Sequence, residues 1–277
     1  MDKMKASQIL NELSQLRDRS LEFWSPDDVV QQFFRTNLNI FTSTFFFGVV
    51  ELVEQAEKLD EIYIAYFRTR NSPARFLIEQ YLTYIHVAAM SEADRFDAAY
   101  RYLLSGKLSI HKLDLQLQKI AQEKLGDKQP LGIEEKLNVN REGYRDFIIE
   151  YGKIGDLMPD DIDSYFEGTN IVPNFLRRFG FNHYQHGKIN YMGEILMNPL
   201  ISEFAREFLA IQYPLLSLDV HPTHNSVVDF EQFISKKVEA KRELALGRNG
   251  ASAANLCLVG NEMIHATKEL LSREKAV

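Results

Sequence analysis

Residues 73–87 read PARFLIEQYLTYIHV and carry apolar side chains at steps of three and four. This spacing is typical of an α-helix, and apolar residues around so much of the circumference predict a central, buried helix. The same spacing recurs at Ile9, Leu13 and Leu16, and no stretch alternates regularly enough to predict a sheet. The sequence therefore predicts an all-α fold.

Helix start and stop signals predict a bundle of about eight helices. Ser25, Ser72 and Asn198 each precede a proline and are the predicted N-caps of three of them. The predicted helices span residues 4–23, 26–58, 73–104 with a break near Met90, 107–125, 134–152, 199–220, 227–246 and 252–273.

Residues 152–193 interrupt the helical pattern. They hold six of the 14 glycines of the chain together with Pro159 and Pro173. Glycine and proline at this density predict irregular structure. We expect one domain over residues 1–277, with 152–193 as a Gly-rich insert or lid within it.

Composition excludes several classes of protein. The 277 residues are 45% hydrophobic, carry a net charge of -7 and contain a single cysteine, Cys257. One cysteine excludes an internal disulfide, and the most apolar stretch, residues 36–50, is too short to span a membrane. We expect a cytoplasmic protein without membrane association. Its negative charge argues against general binding of duplex DNA.

Three polar residues share one predicted helix face near the C-terminal end of the 199–220 helix. Tyr213, Ser217 and His221 lie four residues apart, a spacing that keeps them on one side. Pro214 predicts a kink among them, and Pro222 places His221 at the end of the helix.

A second polar stripe lies on the helix of residues 73–87. It comprises Arg75, Glu79, Thr83 and His86. Arg75 and Glu79 are predicted to form a buried ion pair, because arginine is rarely buried without a carboxylate. The two stripes are either one polar pocket with a functional histidine or a purely structural network in the core.

These residues resemble those of an uncharacterised bacterial family of all-helical proteins. That family has an Arg-x3-Glu segment, here RFLIE at 75–79, and a Tyr-x3-Ser-x3-His segment, here YPLLSLDVH at 213–221. It is distantly similar to the HEPN superfamily, whose helical bundles include metal-independent ribonucleases and toxins of phage defence with an Arg-x4-6-His motif. Ser217 precedes His221 by four residues where that motif has arginine.

The resemblance implies a ribonuclease with His221 as the acid or base. Ser217 and Tyr213 then orient His221, and Arg75 steadies a phosphate or Glu79. HEPN-like bundles commonly pair, and the aromatic stretch of residues 41–50 offers a contact surface, so we expect a homodimer. The pair Arg178 and His183 also matches the motif spacing, but Gly180 interrupts it.

A basic segment near the C-terminus is the predicted contact for RNA or a nucleotide. It comprises Lys236, Lys237, Lys241 and Arg242 in an otherwise acidic chain. Glutamates are interleaved with these basic residues, a pattern that is also typical of an ordinary helix face in contact with solvent.

Two other functions remain open. The first is a non-catalytic scaffold or ligand-sensing module, in which the polar stripes are a buried network. The second is a metalloenzyme, because His183 and His186, like His221 and His224, have metal-ligand spacing, and Glu262 and His265 lie one helical turn apart. Carboxylate di-iron sites need such a Glu-x2-His pair twice, so we expect neither metal nor cofactor.

Overall fold

The computed structural model confirms an all-α protein. It describes residues 3–57, 65–125, 142–143, 145–150, 196–220 and 238–274, and within these ranges all regular structure is helical. Six long helices account for most of it: α1 (Lys3–Phe23), α2 (Val29–Glu57), α3 (Ala65–Ala89), α4 (Glu92–Leu125), α5 (Glu203–Val220) and α6 (Val238–Glu274). A seventh, short helical segment covers residues 145–150.

Several helix boundaries differ from those predicted. The break near Met90 is confirmed, because the Ser91 hydroxyl accepts a hydrogen bond from the amide of Asp94 at 3.3 Å and caps α4. The predicted breaks after residues 104 and 246 are wrong. α4 continues through Gly106, and α6 continues through Gly247 and Gly250. Glycine weakens a helix by about 1 kcal/mol, which neighbouring residues can outweigh.

The predicted N-caps are also corrected. Asp28, not Ser25, caps α2, because its carboxylate accepts a hydrogen bond from the amide of Gln31 at 2.8 Å. Ser72 is not a cap, since α3 begins at Ala65 and contains Pro73. Asn198 stabilises a turn before α5, whereas Ser202 is the N-cap of that helix and accepts from the amide of Ala205 at 3.2 Å.

The described residues belong to two compact units. The first comprises residues 1–25, 34–89 and 192–277, and the second comprises 26–33 and 90–191. The single-domain expectation stays a prediction, and the predicted insert at 152–193 lies outside the described residues.

In the first unit, α6 contacts α1, α3 and α5, and α3 contacts α5. The Tyr81 hydroxyl on α3 is hydrogen-bonded to Glu262 on α6, and the Tyr84 hydroxyl is hydrogen-bonded to Thr267 on α6. The residue numbers of the two pairs increase together on both helices, so α3 and α6 run parallel. Aromatic rings extend this core, because Phe34 of α2 lies edge-on to Tyr84 with ring centroids 5.0 Å apart.

In the second unit, three aromatic rings form a stack. Tyr100 of α4 lies between Phe96 of the same helix and Phe147 of the 145–150 segment, with centroid distances of 6.4 and 5.5 Å. Burial raises the pKa of the Tyr100 phenol, which therefore stays neutral. The Lys107 ammonium lies 4.9 Å from the centroid of the Phe147 ring. A cation over an aromatic face adds a modest attraction to this stack.

Gly260 allows three helices of the first unit to pack closely. A Cβ atom added there would lie 2.6 Å from Cγ2 of Ile9 on α1 and 2.8 Å from Cε2 of Phe45 on α2. Gly260→Ala is expected to lower the free energy of unfolding by about 1–3 kcal/mol, because overpacking forces these side chains apart. Urea denaturation measures this loss.

Gly106→Ala in α4 is the matched control for this prediction. No atom of the described residues lies within 4 Å of its added Cβ. Alanine is the better helix former, so this variant should be as stable as the wild type or about 1 kcal/mol more stable. Equal effects of the two substitutions would contradict a steric role for Gly260.

Candidate functional site

The predicted ion pair on α3 is present but lies nearer the surface than expected. Nε of Arg75 donates to Oε1 of Glu79 at 3.0 Å, one helical turn away. The side chains are 19% and 43% exposed, respectively. Thr83 of the same stripe donates its hydroxyl to the backbone carbonyl of Glu79 at 2.8 Å. Three of the four residues of the stripe are therefore hydrogen-bonded within α3, and the ion pair among them is partly solvated.

This exposure sets the expected effect of Arg75→Ala. Partly solvated ion pairs contribute about 0–1 kcal/mol, so the variant should lose less than about 1 kcal/mol of unfolding free energy. Thermal and urea denaturation check this, with Arg273→Ala on the exposed Arg273–Glu269 pair of α6 as the control. A loss of 3 kcal/mol or more would indicate that Glu79 behaves as a buried charge.

A polar cluster that is buried at Tyr81 and Glu262 joins α3, the start of α5 and α6. The Glu262 carboxylate accepts three hydrogen bonds: from the Ser202 hydroxyl at 2.7 Å, from the Ser202 amide at 3.3 Å and from the Tyr81 hydroxyl at 3.2 Å. Glu262 and Tyr81 are both buried. The carboxylate thereby holds the N-cap of α5 against the middle of α3.

Burial, and then the charge and hydrogen bonding of Glu262, raise the pKa of the Tyr81 phenol far above its usual value. The hydroxyl therefore remains protonated and continues to donate at neutral pH. Beside this cluster, the side-chain amide of Asn198 donates to the carbonyl of Ile85 at 2.9 Å. The start of α5 is thus fixed to α3 through two separate sets of hydrogen bonds.

Tyr213 and Ser217 both lie on α5, as predicted, and the helix continues past Pro214 to Val220. On an ideal helix they occupy the same face. Their side chains lie outside the described residues, as does the whole of His221. The predicted kink at Pro214 stays a prediction. What the structure adds is that α5, which carries Tyr213 and Ser217, packs on α3, which carries Arg75 and Glu79.

The predicted basic segment is described only in part. Lys241 and Arg242 lie in the first turns of α6, where only the backbone is described, and Lys236 and Lys237 lie outside the described residues. The pair Arg178 and His183 also lies outside them. The basic face stays a prediction.

Within the described ranges, no group of three or more histidine, cysteine, aspartate or glutamate residues could hold a metal ion. Glu262 is engaged with Tyr81 and Ser202. His265 is exposed, with Nε2 lying 3.9 Å from a carboxylate oxygen of Glu269. Glu262 and His265 therefore have different partners although they are one turn apart. The histidines at 183, 186, 221 and 224 lie outside the described residues.

Sequence reasoning missed the cluster of Tyr81, Glu262 and Ser202. A glutamate in the apolar stretch LCLVGNEMI of residues 256–264 was the available signal, because a carboxylate among buried residues needs donors. Its two partners lie 181 and 60 residues away in the chain. Helical spacing does not identify partners so distant in sequence.

Neither a family model, nor a curated protein, nor a solved structure matches the chain. None of the described helices is long and apolar enough to cross a membrane.

Proposed function

We propose that the protein is a HEPN-like helical protein that cleaves RNA without a metal ion, as a cytoplasmic ribonuclease or toxin of bacterial phage defence. The packing of α3 on α5 supports this proposal, since α3 carries residues 75–79 and α5 carries Tyr213 and Ser217 of the two segments on which the resemblance rests. His221 acts as the acid or base, Ser217 and Tyr213 orient it, and Arg75 and Glu79 belong to the neighbouring helix. Lys236, Lys237, Lys241 and Arg242 meet RNA phosphates.

A ribonuclease assay in excess EDTA tests this proposal. Purified protein is incubated with labelled single-stranded RNA, and cleavage is expected to be equal with and without the chelator. Cleavage that EDTA abolishes would instead favour a His-ligated metalloenzyme. If none of several RNA sequences is cleaved even when the protein is in molar excess over the RNA, the proposal is contradicted.

The second candidate function is a non-catalytic scaffold or ligand-sensing module. The cluster of Tyr81, Glu262 and Ser202 favours it, because each of these side chains is bonded to another residue of the protein. The hydrogen bond of 3.2 Å between Tyr84 and Thr267 is a second buried polar contact between the same helices. Absence of cleavage together with a stable fold is the outcome expected for this candidate.

We also propose that the protein forms a homodimer through α1 and α2. Within the predicted contact stretch of residues 41–50, Phe45 is fully buried in the core, whereas Phe46 and Phe47 are 47% and 67% exposed. They border a groove of about 300 Å³ lined by Leu10, Ser14, Arg17, Thr42, Ser43, Phe46 and Phe47. Exposed aromatic residues beside a groove are typical of protein contact surfaces.

Phe47→Asp is expected to yield a folded monomer in light scattering, because a charge in place of an aromatic side chain is costly to bury within the contact. Phe76→Asp on α3, which replaces a phenylalanine that is also exposed, is the control and should leave the dimer intact. A soluble Phe47→Asp dimer, or a monomeric wild type, would contradict this interface.

A further inference from the structure

Arg206 of α5 has a buried donor without an acceptor. Its Nε atom is buried and makes no hydrogen bond to any described residue. No ion pair of Arg206 occurs in the described part of the chain either. By contrast, Arg75, Arg101 and Arg273 each pair with a carboxylate four residues away on the same helix. Arg206 is thus a cation without an ion-pair partner among the described side chains.

No described carboxylate pairs with Arg206. Glu203 and Glu207 are exposed on the same helix, and Glu262 accepts its hydrogen bonds from Ser202 and Tyr81. A buried guanidinium donor without an acceptor is unfavourable, so an oxyanion that supplies one is bound with a gain in free energy. The residue as a whole is only partly buried, so an oxyanion reaches the outer nitrogens of the guanidinium from solvent, and it reaches Nε when the side chain turns outward.

Arg206 also lies on the helix face of the proposed site. Tyr213 is seven and Ser217 eleven residues further along α5, so ideal helix geometry places both within about 20° of Arg206. A planar guanidinium matches the oxygen atoms of a phosphate group. We propose that Arg206 binds a phosphate oxyanion and that, as a consequence resting on the proposed function, this is a phosphate of the RNA substrate. Arg206 is then a substrate-binding residue of that site.

Thermal denaturation with inorganic phosphate at constant ionic strength is the first test. Phosphate is expected to raise the melting temperature of the wild type but not of Arg206→Met. Arg101→Met is the control, because it removes a cation of similar burial, 22% exposed and paired with Asp97. It should keep the phosphate shift of the wild type. Arg206→Lys keeps the positive charge but lacks the planar guanidinium, so it should lose most of the phosphate-induced rise in melting temperature. It serves as the second variant if Arg206→Met does not fold.

Binding of a short labelled single-stranded RNA is the second test. Arg206→Met should bind about tenfold more weakly than the wild type or Arg101→Met, as expected for one lost charged hydrogen bond. Phosphate shifts that are equal in the wild type and Arg206→Met, or absent from the wild type, would overturn the inference. RNA cleavage and binding unaffected by Arg206→Met would overturn it while the proposed function stands. An Arg206-dependent phosphate shift without RNA cleavage would uphold phosphate binding and contradict the ribonuclease.

Discussion

Replacing Glu262 by alanine is expected to lower the free energy of unfolding by about 2–4 kcal/mol. The carboxylate accepts hydrogen bonds from the Tyr81 hydroxyl and from the hydroxyl and amide of Ser202. Hydrogen bonds to charged groups contribute roughly 1.5–3 kcal/mol, and a buried donor left without an acceptor costs about 1–3 kcal/mol. Tyr81 is fully buried, so water cannot replace the lost acceptor, whereas Ser202 is exposed and can turn to solvent.

Tyr81→Phe separates the contribution of the Tyr81–Glu262 hydrogen bond from the cost of leaving the Tyr81 hydroxyl without an acceptor. Alone it should cost about 1 kcal/mol, because Glu262 keeps both donors of Ser202. Combined with Glu262→Ala it should cost less than the sum of the two single substitutions, since no buried hydroxyl is then left unsatisfied. Urea denaturation of the three variants measures this coupling. Glu269→Ala, whose carboxylate pairs with exposed Arg273, is the control and should change the unfolding free energy by less than about 1 kcal/mol. Additive effects, or a harmless Glu262→Ala, would contradict the role assigned to the cluster.

The sequence sufficed to predict the helical class because that information is local. Ile9, Leu13 and Leu16 recur at helical spacing, and all three are buried on α1. Helix boundaries were harder to predict, because glycine and proline are ambiguous signals. Gly106 lies inside α4, and Pro73 lies inside α3 although proline is usually found at helix starts. Whether such a residue ends a helix depends on packing, which a single sequence does not show.

The candidate site shows the same division between local and distant information. The ion pair of Arg75 and Glu79 was predictable, because four residues of helix bring the side chains together. Its partial exposure was not, since exposure depends on which other helices cover α3. The contact of Glu262 with Tyr81 joins residues far apart in the chain and required the fold itself. Phe45 and Phe46 are adjacent, yet only the first faces the core.

His221→Ala is expected to reduce RNA cleavage by about 10²–10⁴-fold, the usual contribution of a general acid or base. The melting temperature should change little, because a residue predicted at a helix end has few packing contacts, and the loss of unfolding free energy should stay within about 1 kcal/mol. Cleavage rates under single-turnover conditions, together with thermal denaturation, check both parts. His265→Ala on α6 is the control, since His265 is exposed, and it should cleave as the wild type does.

Activity and stability of the His221 variant together distinguish two interpretations of the stripe of Tyr213, Ser217 and His221: a catalytic site and a structural network. A histidine that takes and returns a proton is needed only during the reaction, so its loss removes cleavage and leaves the fold intact. A histidine whose hydrogen bonds hold the core contributes to stability whether or not RNA is present, so its loss lowers the melting temperature. An inactive variant with the wild-type melting temperature therefore supports catalysis by His221. A variant that cleaves at the wild-type rate, or one that unfolds, would place the site elsewhere and favour the scaffold, because the stripe of Tyr213, Ser217 and His221 would then serve the fold.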